Sequence, residues 1–205
     1  MRKIEEFYHD MGLVNILDIC PSIKLDIRYA TTNNFTGEVL YEDCNGAFCV
    51  PELAYALSDA QLELKQLHPD YSLVIFDAAR PINIQKKMYD IVKGTNKECY
   101  VANPYGGYAG GFHNYGMAVD LSIVNSKGEL LPMGTDYDSF EDTAHVGNEE
   151  QLLEKGLLTQ EEYSNRLFLY QLMKNHNLFP YPYEWWHYQY HQKEEYKLKF
   201  KLLDY

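Results

Sequence analysis

Gly110-Gly111-Phe112-His113-Asn114-Tyr115-Gly116-Met117-Ala118-Val119-Asp120-Leu121-Ser122-Ile123-Val124 is the stretch that organises this chain. Its last eight residues alternate. Met117, Val119, Leu121 and Ile123 share one face of an extended strand, and Ala118, Asp120 and Ser122 share the other. A carboxylate set among small side chains leaves room for a metal and a small ligand. His113 stands seven residues before that carboxylate, and Gly116 between them permits a tight turn. A strand entered through a glycine turn from a histidine-bearing segment is the reading from which the rest of the fold is built.

Upstream, residues 103–111 are rich in glycine and read as a loop leading into the motif. Residues 72–76 form a short continuous apolar run, as in a buried strand, ending at Asp77-Ala78-Ala79-Arg80-Pro81. Pro81 biases Arg80 toward extended backbone and can open a helix whose buried face would be Ile84, Met88, Ile91 and Val92. Pro51 opens an earlier helix with Leu53, Leu57, Ala60, Leu64 and Leu67 on one face, stopped by His68-Pro69-Asp70. Residues 25–34 read as a strand running into a turn. Downstream, 149–158 and 160–175 read as two helices, and the aromatic stretch 181–190 as a strand. Tyr196, Leu198 and Phe200 alternate with lysines, the pattern of an amphipathic edge strand. The expected fold is α+β: one domain over residues 1–205, with a central, mostly antiparallel sheet carrying the metal site and helices flanking it. No glycine-rich phosphate loop follows a strand, which argues against a nucleotide-binding fold.

The bulk properties narrow the function. The chain has 205 residues, 46% hydrophobic and 23% charged, enough to bury a core without disulfide staples. A net charge of -12 disfavours nucleic acid and anionic membranes as partners. Met1-Arg2-Lys3-Ile4-Glu5-Glu6 has no apolar segment after its basic pair, and no run reaches transmembrane length, so a cytoplasmic location is expected. Cys20, Cys44, Cys49 and Cys99 lack metal-ribbon spacing and are expected to be free thiols.

A second cluster, Glu184-Trp185-Trp186-His187, supplies what the first lacks. Two imidazoles and one carboxylate, His113, Asp120 and His187, can fill three corners of a tetrahedral Zn2+ site and leave the fourth open, as in catalytic zinc. Glu184 is near enough to His187 in sequence to act on a water there. In a strict strand, however, residues three apart face opposite ways, so the backbone must bulge if both serve one ion. Pro180 and Pro182 make that irregularity reasonable. The plainer alternative is that the tryptophans are core and Glu184 is an exposed acid. Arg80 is the cation suited to a developing oxyanion, since a guanidinium keeps its charge and presents fixed donors. A surface ion pair with Asp77 is its plainer alternative. His9, His68, His145, His176 and His191 carry no such context.

These residues together resemble the VanX-type D-alanyl-D-alanine dipeptidases, within the wider group of zinc D-Ala peptidases. The motif S-x-H-x-x-G-x-A-x-D is matched from His113 to Asp120, and E-x-W-H at Glu184–His187. Arg28-Tyr29-Ala30-Thr31, Asn34-Phe35-Thr36-Gly37, Asp77 to Pro81, and Met133-Gly134 through Tyr137-Asp138 match further segments in order. The resemblance implies one Zn2+ per chain held by His113, Asp120 and His187. It also implies Glu184 as general base toward a zinc-bound water and Arg80 at the scissile carbonyl. Asp138 would pair with the ammonium group of a free dipeptide, and Tyr29 would line the same end. The implied reaction is hydrolysis of D-alanyl-D-alanine to two D-alanines. A D,D-carboxypeptidase trimming cell-wall peptides and a non-catalytic zinc-binding domain are the competing readings. Gly111 stands where the motif has serine, which bears on substrate affinity rather than on the ligands.

Overall fold

The computed structural model describes residues 3–42, 44, 46–106, 109–190 and 198–205. In chain order the elements are α1 (Lys3–Asp10), β1 (Val14–Asn15), α2 (Ile16–Ile19), β2 (Lys24–Leu25), β3 (Phe48–Cys49), α3 (Pro51–Leu67), β4 (Ser72–Asp77), α4 (Ile82–Val92), β5 (Ala118–Val124), α5 (Glu149–Glu154), α6 (Gln160–Asn175), β6 (Phe179–Tyr181) and β7 (Glu184–Gln189). The main sheet has five strands in the order β2-β4-β5-β7-β6, and β1 and β3 make a separate antiparallel pair. Within the main sheet β2–β4 is parallel and the other three pairings are antiparallel. The α+β, mostly antiparallel expectation therefore holds.

Sequence dictates where the core sits. Strands β4 and β5 are buried along their whole length, so both faces of the sheet centre are covered. Asp120, on the strand face with Ala118 and Ser122, is buried too, and it lines a cavity with room for a small ligand. Helix α3 opens at Pro51 and buries Leu53, Ala54, Leu57, Ala60, Gln61 and Leu64. Leu67, expected on this face, is exposed at the helix end. Helix α4 buries Ile82, Ile84, Gln85, Met88, Tyr89 and Val92, whereas Ile91 is exposed. The buried stripe is centred on polar Gln85, whose side chain is accommodated because it is hydrogen-bonded at both ends. Helix α6 begins at a capping box in which Thr159 and Glu162 satisfy each other's backbone N–H groups. Helix α5 ends at Glu154, short of residue 158.

Residues 25–34 hold only the end of β2 and a 3-10 turn, Arg28–Ala30. The C-terminal edge strand expected from Tyr196, Leu198 and Phe200 falls partly outside the described residues, and residues 198–205 carry no strand. No disulfide joins the four cysteines, three of which are buried. Among the described residues, no helix is long and apolar enough to cross a membrane.

Candidate metal centre and active site

The sheet register brings the site together. Asp77 of β4 pairs with Asp120 of β5, and Asp120 pairs with His187 of β7, so three functional side chains lie in one row across the sheet. A bulge between Ile75 and Asp77 adjusts the first pairing. The β6–β7 hairpin carries the larger irregularity. Phe179 opposes Gln189 and Pro180 opposes Tyr188, yet Tyr181 opposes Glu184. Residues 185–187 are thus extra on β7, and this bulge lets Glu184 and His187 line the same cavity. His113 arrives on the 3-10 turn Phe112–Tyr115, which ends at Gly116 in the left-handed conformation (φ +68°) before β5 begins.

His113 Nε2, His187 Nδ1 and Asp120 Oδ1 form a triangle with edges of 3.1, 3.1 and 3.2 Å. Tautomers decide what that triangle is. His113 Nδ1 lies 2.7 Å from the Ala78 carbonyl, which only accepts, so Nδ1 carries the proton and Nε2 presents a lone pair. His187 turns Nε2 toward Gln189 Oε1 at 3.4 Å and presents Nδ1 to the same point. Two imidazole lone pairs and a carboxylate oxygen then face one another, an arrangement that calls for a cation. Metal–ligand bonds of about 2.0–2.1 Å in tetrahedral geometry give ligand edges of about 3.3 Å, close to those observed. Among the described residues, these three side chains form a cluster that could hold a metal ion.

Around the triangle lies a cavity of about 500 Å³ lined by all seven residues singled out from the sequence: Tyr29, Arg80, His113, Asp120, Asp138, Glu184 and His187. Glu184 Oε2 is 3.8 Å from His187 Nδ1. Burial, with the negative Asp120 and Asp138 nearby, pushes the Glu184 carboxyl up to about 8. The Arg80–Asp77 pair exists, but it is buried rather than on the surface. Arg80 Nε and Nη2 donate to Asp77 Oδ2 at 2.9 and 2.6 Å, and Nη1 donates to Gln85 Oε1 at 2.9 Å. The guanidinium lies 5.2 Å from the Tyr29 ring centre. Burial is the largest influence and opposes its charge, but Asp77 together with Tyr29, Tyr41 and Tyr137 outweighs it, and the group stays protonated. Asp138 sits in the left-handed region (φ +62°). Its Oδ1 accepts from the Tyr29 hydroxyl at 2.9 Å and its Oδ2 from the Phe35 N–H at 3.1 Å. Burial pushes its carboxyl up to about 7.

Sequence reading missed Tyr137, Gln85 and the structural weight of Asp77. Tyr137 donates its hydroxyl to Asp120 Oδ2 at 3.0 Å. Gln85 accepts from Arg80 and donates to the Ala102 carbonyl at 2.9 Å. The Tyr41 hydroxyl donates to Asp77 Oδ1 at 2.8 Å. The one signal available was a polar residue, Gln85, in the middle of an apolar helix stripe.

A buried imidazole–carboxylate triangle with a carboxyl group and a guanidinium beside it is the architecture of a metallopeptidase. The chain belongs to the D-ala-D-ala dipeptidase family, whose profile matches residues 9–203. It is similar to the D-alanyl-D-alanine dipeptidase of Escherichia coli strain K12, 27% identical over 91% of this chain and 88% of that protein. The D-alanyl-D-alanine dipeptidases of Enterococcus faecalis and Enterococcus faecium are each 27% identical, over 87% of this chain and 91% of theirs.

Proposed function

We propose that this protein hydrolyses the free dipeptide D-alanyl-D-alanine to two D-alanines, with Zn2+ held by His113, Asp120 and His187. The observation that carries the reading is the triangle of two lone-pair imidazole nitrogens and one carboxylate oxygen beside Glu184. Zinc bound there supplies Lewis acidity at the scissile carbonyl and lowers the pKa of water toward about 7.

The chain's own residues do the rest. Glu184 takes a proton from the attacking water as oxygen adds to the carbonyl carbon, and returns it to the leaving amine as the C–N bond breaks. Arg80 faces the oxygen on which negative charge collects, and Asp77 and Gln85 fix its guanidinium so that no reorganisation is needed then. Asp138 and Tyr29 receive the substrate's ammonium group, which gives a free dipeptide an anchor that an N-blocked peptide lacks. Four cysteines without a disulfide fit a cytoplasmic location, where thiols stay reduced.

The test is release of D-alanine from D-Ala-D-Ala and from N-acetyl-D-Ala-D-Ala by Zn2+-loaded and chelator-treated protein. Chelator-sensitive cleavage of the free dipeptide alone is expected. Cleavage of the blocked compound alone would make the protein a carboxypeptidase, and silence on both would overturn hydrolysis of this linkage.

A further inference from the structure

The two oxygens of Asp120 have separate employments. Oδ1 faces His113 Nε2 at 3.2 Å and His187 Nδ1 at 3.1 Å. Oδ2 accepts a hydrogen bond from the Tyr137 hydroxyl at 3.0 Å. The nearest cation to Oδ2 is Arg80 Nη2 at 3.7 Å, outside hydrogen-bond reach and already committed to Asp77. We propose that Tyr137 is the positioning residue of the metal centre. Its hydroxyl holds Oδ2 away from the ion, so that Asp120 binds through Oδ1 alone and the remaining coordination position stays open. The proposal rests on the metal reading given above and assigns a role within that same site.

The placement of Tyr137 is over-determined. Its ring meets Phe76, Trp186 and Tyr29 at centroid distances of 5.1, 5.4 and 6.1 Å. Trp186 directly precedes the ligand His187, and Phe76 directly precedes Asp77, so the ring is wedged between the two strands that flank Asp120. The loop that carries it is tied down on both sides of the ring. Arg166 Nε donates to the Met133 carbonyl at 2.6 Å, and Trp185 Nε1 donates to Thr135 Oγ1 at 2.8 Å. Past the ring, Asp138 is held by Tyr29 and the Phe35 N–H.

The chemical consequence follows from how carboxylates bind metals. A carboxylate with both oxygens free can swing to bidentate coordination, which occupies the position that substrate and water need. A neutral donor on Oδ2 blocks that swing and fixes ring-to-ligand geometry, as outer hydrogen bonds to metal ligands generally do.

Tyr137→Phe removes only the hydroxyl and leaves the packed ring. The measurement is Zn2+ affinity of wild type and variant by competition with a chromogenic chelator, alongside the thermal midpoint of each metal-free protein. The expected result is a loss of Zn2+ affinity of about tenfold to a hundredfold. The metal-free midpoint should fall by no more than about 4 °C, the share of one hydrogen bond. Equal Zn2+ affinity in the two proteins would overturn the role of Tyr137 while leaving the metal reading intact. A weakened affinity with a metal-free midpoint lowered well beyond that share would make the hydroxyl a structural element and also overturn it. If the wild type itself bound no Zn2+, the metal reading would fail first.

Discussion

Arg80 is a charge held almost without water. Its side chain keeps about a tenth of its exposure, and Asp77, Tyr41 and Gln85 form the closed network that makes burial tolerable. Removing one partner of such a pair costs more than the pair contributes, because the survivor is left buried and unpaired. Asp77→Ala should therefore destabilise the protein by about 3–5 kcal/mol in urea unfolding. A cost below about 1 kcal/mol would mean water reaches the guanidinium. Asp138 offers a different test at the same scale. Its carboxyl titrates near 7 in the fold, because burial raises it above the ordinary 3.8. A carboxyl raised on folding binds a proton more tightly in the folded state. Its contribution to stability is complete below about pH 4 and is lost as pH rises toward about 7. Metal-free wild type should accordingly lose stability over that window relative to Asp138→Asn, with denaturation midpoints at pH 5 and 8 as the readout. Parallel pH profiles would show that Asp138 keeps its solution behaviour.

At the scale of elements, the corner between His113 and β5 decides whether the first ligand meets the second. Gly116 takes φ +68° there, and a Cβ at this position would lie 2.8 Å from Leu13 Cδ2. Gly116→Ala should cost at least about 1–2 kcal/mol from the left-handed backbone alone, and move His113 as well as weaken the fold. Unchanged stability and unchanged Zn2+ affinity would both contradict this. The corner was legible in the residues, since a glycine between a histidine and a strand aspartate has few other uses. Strand β5, helices α3 and α6, and the need for a bulge before His187 were legible for the same reason: each is a local pattern with a local cause. Ile91 and Leu67 were misplaced because helical spacing says which residues share a face, not where that face ends. Tyr137 and Tyr41 were invisible because their hydrogen bonds span 17 and 36 residues and depend on which strands pair, whereas Gln85 showed only as a polar residue inside an apolar helix stripe. Local periodicity carries no record of strand order.

For the whole molecule, the sheet is the template of the proposed metal site. Asp77, Asp120 and His187 sit side by side on three neighbouring strands, and the turn carrying His113 is stitched to the strand-end segment of β4. Arg80 N–H donates to the His113 carbonyl at 3.0 Å, and Asn114 Nδ2 donates to the Arg80 carbonyl at 2.7 Å. Unfolding scatters these ligands across 75 residues of chain, so the unfolded state offers no comparable site. A ligand that binds the folded state alone stabilises it by mass action. Zn2+ at a thousand times its dissociation constant should add about 4 kcal/mol. In a chain of this size that is a rise of about 8–16 °C in thermal midpoint over the metal-free protein. Calorimetry with and without chelator measures it, and His113→Ala should abolish most of the increment because the triangle loses a corner. An equal rise in His113→Ala would place the stabilising Zn2+ elsewhere on the molecule, and the sheet would no longer be its template.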